Sequence, residues 1–185
     1  LIGELTGADI VTDEITAHKT GADFIGRKIG KQCDTIFEIG GQDSKFISLQ
    51  DGIVVDFAMN EACAAGTGSF LEEQAEKLGI SIIGEFAELA LGSEAPIRLG
   101  ERCTVFMERD VMAYQQRGAR RDDLVAGLAF SIATNYLNRL VRERHIGDVI
   151  FFQGGTAYND AVAAAFSQIL EKDIIVPPHN GVVGA

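Results

Sequence analysis

Two segments of the sequence combine an apolar run with a glycine pair and polar residues. The first, F-E-I-G-G-Q-D-S-K, covers residues 37–45, and the second, I-F-F-Q-G-G-T-A-Y-N, covers residues 150–159. Glycines at the end of a strand let the backbone approach a ligand closely and point its N–H groups at it. An isolated glycine pair is more often a simple tight turn. Two such turns, each after an apolar strand, favour the binding of nucleotide phosphates.

Asp43 follows the first glycine pair, where a carboxylate beside a phosphate would be repelled unless a cation lay between them. Its predicted role is to hold Mg²⁺ through water or to orient an attacking water. The alternative is an Asx-turn residue that stabilises the loop without any ligand. Lys45 is able to pair with Asp43 or with a phosphate, but we expect it to point from its strand into solvent.

A third segment, N-E-A-C-A-A-G-T-G-S-F over residues 60–70, places Cys63 just before a Gly-Thr-Gly turn. Cys103 stands directly before a predicted helix. A helix N-terminus lowers the pKa of a thiol and so stabilises the thiolate, the form that binds a metal. Two cysteines cannot complete a four-iron cluster, which takes four, but a symmetric dimer would supply two from each subunit. The alternative is two small buried residues, and composition alone favours it.

The elements that must position these residues alternate between strand and helix. Hydrophobic periodicity predicts strands over 35–39, 45–49, 53–58, 148–152 and 174–176, and helices over 13–29, 69–78, 83–91, 104–114, 124–144 and 159–171. Asp51-Gly52 predicts a type I′ hairpin between two of the strands. Ser69 and Glu72 form a potential capping box, and Asp122 is the expected N-cap of the longest helix. The sequence therefore predicts an α/β fold in which helices flank a mixed sheet.

Composition and charge limit the classes of function. The 185 residues are 46% hydrophobic and carry a formal net charge of −11, which argues against a nucleic-acid partner. We expect no membrane partner, because no apolar run approaches the roughly 20 residues of a membrane span. Three widely spaced cysteines favour reduced thiols and a cytoplasmic location. Cys33 is expected to be structural, and His18 to be a hydrogen-bonded core or interface histidine.

Four segments, I-G-G-Q-D-S-K, N-x-x-C-A-A-G-T-G-x-F-L, C-T-V-F and G-G-x-A-x-N, occur in this order. Together they resemble the ATP-dependent activators of 2-hydroxyacyl-CoA dehydratases and the related ATPase subunits of benzoyl-CoA reductases. Each segment alone has modest specificity, but the combination is highly specific and covers most of the chain from Glu38 to Ala185. The resemblance implies the actin-like, or ribonuclease H-like, ATPase fold that acetate and sugar kinases, heat-shock chaperone ATPases and actin share.

The resemblance also implies site residues and cofactors. Asp43 would be the catalytic residue that holds Mg²⁺ through water beside ATP or ADP. The nucleotide-binding residues would be Gly40, Gly41, Gln42, Gly66, Thr67, Gly68, Gly154, Gly155, Thr156 and Asn159. Cys63 and Cys103 would ligate half of a 4Fe–4S cluster shared by a homodimer. ATP hydrolysis would then drive a low-potential electron from the cluster to a 2-hydroxyacyl-CoA dehydratase or related reductase, with a ferredoxin or flavodoxin as the electron donor.

Two features depart from the family pattern. Such ATPases open with a strand and an Asp-x-Gly-Ser/Thr turn, the first phosphate segment, which nothing in this sequence matches. Glu38 stands where the family usually has Asp, so a metal-bridging water would be placed differently. We therefore expect a fragment that lacks the first phosphate segment, with residues 1–35 as the remainder of the first lobe and 36–185 as the second lobe. The fragment alone is expected to bind nucleotide weakly or not at all, even if the full-length parent is an ATPase.

Two other functions stay open at this point. A degenerate ATPase-like module would dimerise or dock a partner without turnover, and the missing phosphate segment is the feature that favours it. An ordinary small-molecule kinase of the same fold needs no cysteines at positions 63 and 103. The cysteine pair therefore speaks against a kinase.

Overall fold

The computed structural model describes residues 5, 7, 9, 11–60, 66–99 and 104–184, with 104 and 105 described by their backbone alone. The strands are β1 Thr35–Ile39, β2 Ser44–Gln50, β3 Ile53–Asn60, β4 Ile150–Gln153 and β5 Ile174–Ile175. The α-helices are α1 Glu14–Ile29, α2 Gly68–Leu78, α3 Glu85–Leu91, α4 Thr104–Gln116, α5 Arg121–Asn135 and α6 Asp160–Leu170. A π-helical segment, Tyr136–Val141, continues α5, and short 3₁₀ turns cover Gly155–Tyr158 and Asn180–Val182.

The strands form a single mixed sheet in the order β3-β2-β1-β4-β5. β1 and β2 are antiparallel, as are β2 and β3, whereas β4 runs parallel to both β1 and β5. The hairpin between β2 and β3 turns at Asp51 and Gly52, whose φ angles are 54° and 75°. Positive φ at both positions is what a type I′ turn requires, so the predicted hairpin is confirmed.

The two faces of the sheet bury different sets of side chains, because successive residues of a strand point to opposite faces. Phe37, Ile39 and Phe152 belong to the main core beneath α2, α3, α5 and α6. Ile36 and Phe151, together with Ala22 of α1, belong to a smaller core on the other face. Helices therefore cover both faces, and among the described residues α1 is the helix that packs on the smaller core.

The ends of α1 and α2 follow local capping rules with one exception. Asp13 caps α1 by accepting a hydrogen bond from the backbone N–H of Thr16, at 2.9 Å. Gly79 ends α2 at φ 67°, as predicted, because glycine adopts the left-handed conformation without strain. The predicted capping box at the start of α2 is wrong: Ser69 lies inside the first turn, and its hydroxyl donates to the carbonyl of Gly41.

The longest helix begins at Arg121 and changes to π-helical geometry at Tyr136. Asp122 is not its N-cap as predicted; Arg120 holds that position, and its guanidinium pairs with the carboxylate of Asp122. By length and composition the stretch Arg121–Val141 would be able to cross a membrane, contrary to our expectation. It is the one such stretch in the described part of the chain, and 72% of its apolar window is buried inside the protein, as in a core helix.

Candidate functional site

The two glycine turns lie side by side at one edge of the sheet. β1 and β4 are parallel neighbours, so the carboxyl ends of both strands reach the same edge. Gly154 packs directly on β1: a Cβ at this position would lie 2.3 Å from the carbonyl oxygen of Ile39. Its φ of 90° is also unfavourable for any residue with a side chain. Glycine is therefore required at 154 to bring the second turn against the first.

The N-terminus of α2 holds the first glycine turn. The backbone N–H groups of Gly68 and Ser69 each donate a 2.8 Å hydrogen bond, to the carbonyls of Gly40 and Gly41 respectively. A Cβ on Gly68 would lie 3.0 Å from the oxygen of Gly40 and 2.7 Å from the hydroxyl of Thr156. The Gly-Thr-Gly turn is therefore the point where both other glycine segments converge.

A cavity of about 540 Å³ opens where these three segments meet. Its wall contains Gly41, Gly68, Leu71, Glu72, Ile82, Ile83, Gly84, Gly155, Thr156, Tyr158 and Asn159. Ile83 and Tyr158 stand out, since 86% and 69% of their surfaces are exposed. A pocket with apolar walls and a few polar groups is the usual form of a small-molecule site, and its volume suits a drug-sized ligand.

Five of the ten predicted nucleotide-binding residues line this cavity: Gly41, Gly68, Gly155, Thr156 and Asn159. The other five are not in its wall: Gly40, Gln42, Gly66, Thr67 and Gly154. The nucleotide-binding role of all ten stays a prediction. Gly66 and Thr67 are buried, whereas Gln42 is exposed.

Sequence reasoning missed the apolar walls of the cavity and the carboxylate of Glu72. The sequence predicts Glu72 only as part of a capping box, and Ile83 as the start of the helix over 83–91. The signal in the sequence was the apolar pair Ile82-Ile83 directly before Gly84. In the structure Gly84 has a φ of 79° and α3 begins only at Glu85, so both isoleucines lie outside the helix.

Two polar groups in the wall of the cavity have no hydrogen-bond partner. The Thr156 hydroxyl and the Asn159 side-chain NH₂ are both buried, and neither has a partner among the described residues. The other end of the Asn159 amide accepts a hydrogen bond from the N–H of Ala161 at 3.1 Å and so caps α6. A buried polar group without a partner is costly, and a bound ligand is one explanation for it.

Lys45 is buried at the same edge of the sheet, on the face that α1 covers. Its Nζ lies 2.7 Å from a carboxylate oxygen of Asp43, 2.9 Å from Glu14 and 3.2 Å from Glu38. The expectation that Lys45 points into solvent is wrong, because α1 brings Glu14 over the sheet and closes the site. Glu38 and Lys45 are direct cross-strand partners, so the antiparallel register already places two of the four groups together.

Burial and charge act in opposite directions on this cluster. Burial lowers the pKa of Lys45, but hydrogen bonds to Asp43, Glu14 and Glu38 outweigh it and hold the pKa above the usual value. Burial raises the pKa of Glu38, and the nearby charge of Lys45 offsets only part of that rise. The ammonium therefore stays charged at neutral pH and is the centre of the cluster.

His18 lies beside this cluster and is a buried core histidine, as predicted. Its Nδ1 lies 3.1 Å from the side-chain oxygen of Gln153, and its Nε2 lies 3.8 Å from Glu14. Gln153 neighbours Glu38 across the parallel pair of strands. Its side-chain NH₂ is buried without a partner among the described residues.

The predicted metal ligands Cys63 and Cys103 lie outside the described residues, so their role stays a prediction. Within the ranges that the structure does describe, no group of three or more His, Cys, Asp or Glu side chains is placed to hold a metal. Cys33 is buried, and its thiol donates to the carbonyl of Thr35 at 3.2 Å. Burial raises the pKa of this thiol to about 12, which suits the structural role that we expected.

A larger cleft of about 910 Å³ lies at the opposite edge of the sheet, where β1 and β4 begin. Three carboxylates in its wall already have partners within the protein. Asp34 accepts from the N–H of Val149, Asp56 pairs with Arg144, and Asp148 pairs with Lys172. The cleft contains none of the predicted site residues, so its size alone does not make it the functional site.

Comparison with known proteins points to one family. The model of the BadF/BadG/BcrA/BcrD ATPase family matches residues 2–185. The chain is 34% identical over 181 residues to the (R)-2-hydroxyglutaryl-CoA dehydratase activating ATPase of Acidaminococcus fermentans, covering 96% of this chain and 67% of that protein. It is 32% identical over 186 residues to an uncharacterised protein of Methanocaldococcus jannaschii, covering 100% of this chain and 44% of that protein.

Two solved structures share the fold. Component A of the Acidaminococcus fermentans (R)-2-hydroxyglutaryl-CoA dehydratase matches with a TM-score of 0.90 and 33% identity, over 99% of this chain and 69% of that one. The activator of the 2-hydroxyisocaproyl-CoA dehydratase from Clostridium difficile, solved with bound ADPNP, matches with a TM-score of 0.88 and 31% identity, over 96% and 65%. The actin-like ATPase fold that the sequence predicted is thereby confirmed. The chain spans between less than half and about two thirds of the length of these proteins.

Proposed function

This chain belongs to the BadF/BadG/BcrA/BcrD ATPase family, and on that premise we propose that it acts in an ATP-hydrolysing activator of a 2-hydroxyacyl-CoA dehydratase or a related reductase. The observation that carries the proposal is the cavity where the three glycine segments meet. Two buried polar groups in its wall, on Thr156 and Asn159, lack partners. Relatives that match this chain are activators of such dehydratases, and one was solved with ADPNP.

The residues around the cavity fit a nucleotide. A Cβ on Gly154 would collide with the backbone of Ile39 at the end of β1, and one on Gly68 would crowd the hydroxyl of Thr156 and the carbonyl of Gly40. These glycines therefore keep the turns close enough to surround a phosphate chain. Leu71, Ile82 and Tyr158 offer an apolar surface to a base. Asp43 is half-exposed beside the glycine turn and is the group that we assign to Mg²⁺, held through water.

We assign Cys63 and Cys103 to a 4Fe–4S cluster shared by a homodimer. Such a cluster, when bound, supplies one-electron transfer at low potential. Large apolar side chains are exposed close in sequence to both cysteines: Met59 precedes Cys63 by four residues, and Phe106 follows Cys103 by three. Their exposed fractions are 39% and 55%, and the proposed dimer interface near both segments would cover them.

Two measurements on the full-length protein test this function. Anaerobic preparation should give about four irons per dimer, the content of one four-iron cluster, and Cys63→Ser or Cys103→Ser should abolish it. Asp43→Ala should remove Mg²⁺-dependent ATP hydrolysis. An iron-free protein under anaerobic conditions would contradict the cluster, and undiminished turnover in Asp43→Ala would remove Asp43 from its role. A protein that dimerises but never hydrolyses ATP would instead be the degenerate docking module.

A further inference from the structure

Lys45 is a buried charge to which the proposed function gives no role. Its side chain is 1% exposed, and lysine is almost never buried to this extent unless its charge is paired. An ammonium group has three N–H donors, and the three carboxylate partners lie within 3.2 Å. These partners come from the first turn of α1, from β1 and from the glycine turn. The position of Nζ is therefore set by three separate parts of the chain.

The backbone of Lys45 is held as firmly as its side chain. Within the sheet, Lys45 stands opposite Glu38 on one side and Met59 on the other. Its carbonyl accepts a 2.6 Å hydrogen bond from the hydroxyl of Tyr136, the first residue of the π-helical segment. With both ends fixed, the side chain presents its ammonium group in a single place.

Asp43 has a different environment, although it is only two residues away. Its side chain is 49% exposed and belongs to the turn rather than to a strand. One carboxylate oxygen, Oδ2, bonds to Lys45. The other, Oδ1, packs on Gly40: a Cβ added to Gly40 would lie 2.9 Å from this oxygen. An exposed aspartate in a turn is ordinarily free to change rotamer, and here the contact with Lys45 selects one orientation.

We infer that Lys45 is a positioning residue whose ammonium group fixes the orientation in which the Asp43 carboxylate would hold a magnesium-bound water of the nucleotide. Asp43 itself is not in the wall of the cavity but follows Gly41, which is in that wall, by two residues. The inference rests on the proposed function, because it concerns the same site. The charges around Lys45 support it: one ammonium faces three carboxylates, which leaves an excess of negative charge when all are ionised. That excess favours a cation brought in with the nucleotide, held through water because the protein offers no complete set of metal ligands among the described residues.

Without the ammonium group, the same carboxylates would repel one another, and Asp43 would turn away into water. The groups that orient a metal-binding ligand contribute to metal affinity although they do not touch the metal. A Lys45 variant should therefore lose the part of nucleotide binding that depends on Mg²⁺. A purely structural lysine would instead affect binding with and without Mg²⁺ alike.

The test compares variants of the full-length protein in calorimetric titrations with ADPNP, each with and without Mg²⁺. Lys45→Met leaves Glu38 buried without its partner and is at risk of misfolding, so the decisive variant is Lys45→Met/Glu38→Gln, which removes both charges together. It is compared with Glu38→Gln alone, in which Lys45 still pairs with Asp43, because Glu38 stands where the family has a residue that is expected to contact the metal-bridging water. Relative to Glu38→Gln, we expect the gain in ADPNP affinity from Mg²⁺ to fall by about 10-fold or more in the double variant. Its Mg²⁺-free affinity should stay at the wild-type value.

Lys77→Met is the matched control. Lys77 also pairs with two carboxylates, those of Glu73 and Glu108, but its side chain is 41% exposed and it lies away from the cavity. This variant should keep the wild-type gain from Mg²⁺. A double variant that also keeps that gain, or that loses affinity equally with and without Mg²⁺, would overturn the inference and leave the proposed function standing. A wild-type protein that binds no ADPNP under either condition would overturn both.

Discussion

The hydroxyl of Tyr136 donates a hydrogen bond of 2.6 Å to the backbone carbonyl of Lys45, which lies 91 residues earlier in the chain. Tyr136 is fully buried, and its ring packs against Phe37 and Phe166 with centroid distances of 5.1 and 5.4 Å. Burial also raises the pKa of Tyr136 well above its usual value, so the hydroxyl remains a donor. This bond connects the π-helical segment to the strand that follows the first glycine turn.

Replacing Tyr136 with Phe should destabilise the protein by about 1–2 kcal/mol, because the ring packing stays while a buried acceptor loses its donor. Urea denaturation of wild type and variant measures the difference. Tyr158→Phe is the matched control, since Tyr158 is 69% exposed and its loss of a hydroxyl should leave stability unchanged. Equal effects of the two changes would mean that the bond to Lys45 contributes nothing.

Lys45→Met should lower the free energy of unfolding by about 3 kcal/mol, since it leaves buried carboxylates without their counter-charge. The additional change Glu38→Gln should restore much of the loss, because Glu38 is the most buried of the three partners. A double-mutant cycle measured by chemical denaturation gives the coupling between the two residues. Strictly additive effects would show that the pair does not interact energetically.

Gly154→Ala should destabilise the protein by about 3 kcal/mol, since the added Cβ would lie 2.3 Å from the oxygen of Ile39 and φ is 90°. The neighbouring change Gly155→Ala is the control, because a Cβ there meets no atom within 4 Å. It should alter stability by less than about 0.5 kcal/mol. Thermal melts of both variants measure this difference in stability. A Gly154→Ala variant as stable as the wild type would contradict the close packing of the two turns.

Asn159 caps α6 and, under the proposed function, also contacts the nucleotide; two variants separate these roles. Asn159→Ala should cost about 1 kcal/mol of stability, because α6 loses its N-cap. Asn159→Asp keeps an oxygen for the cap but replaces the NH₂ that has no partner in the described chain. We expect near-normal stability and a fall in ADPNP affinity of about 10-fold, the equivalent of one hydrogen bond. Wild-type affinity in Asn159→Asp would show that this NH₂ does not contact the nucleotide.

The thiol of Cys33 should make the protein less stable at alkaline pH. Its pKa is raised to about 12 by burial, so between pH 9 and 12 the unfolded chain loses this proton while the folded chain keeps it. The folded state then binds more protons, and the free energy of unfolding falls as pH rises, by about 1.4 kcal/mol per pH unit. Cys33→Ala removes this contribution. Denaturation series at pH 8 to 10 should give a shallower slope for the variant, and identical slopes would refute the shifted pKa.

The positions of the main elements follow from short-range patterns, and these predictions agree with the structure. β1 begins and ends where the apolar run from Thr35 to Ile39 predicts. In α2 the residues that recur at helical spacing are the buried ones: Phe70, Leu71, Gln74, Ala75 and Leu78. The hairpin at Asp51-Gly52 needed only the positive φ that these residues accept. In each case the residues that determine the strand, helix or turn lie within that element, so a short stretch of sequence is enough to predict it.

By itself, the sequence determined the glycine turns, the strands before them and the family resemblance. Tertiary structure alone decided that Lys45 is buried among three carboxylates, that Ser69 bonds to Gly41 instead of capping α2, and that the cavity has an apolar wall at Ile83 and Tyr158. Glu14 reaches Lys45 across 31 positions of sequence because α1 packs over the sheet. The spacing of residues within one element carries no information about which other element will cover it, since that choice depends on the packing of the whole core.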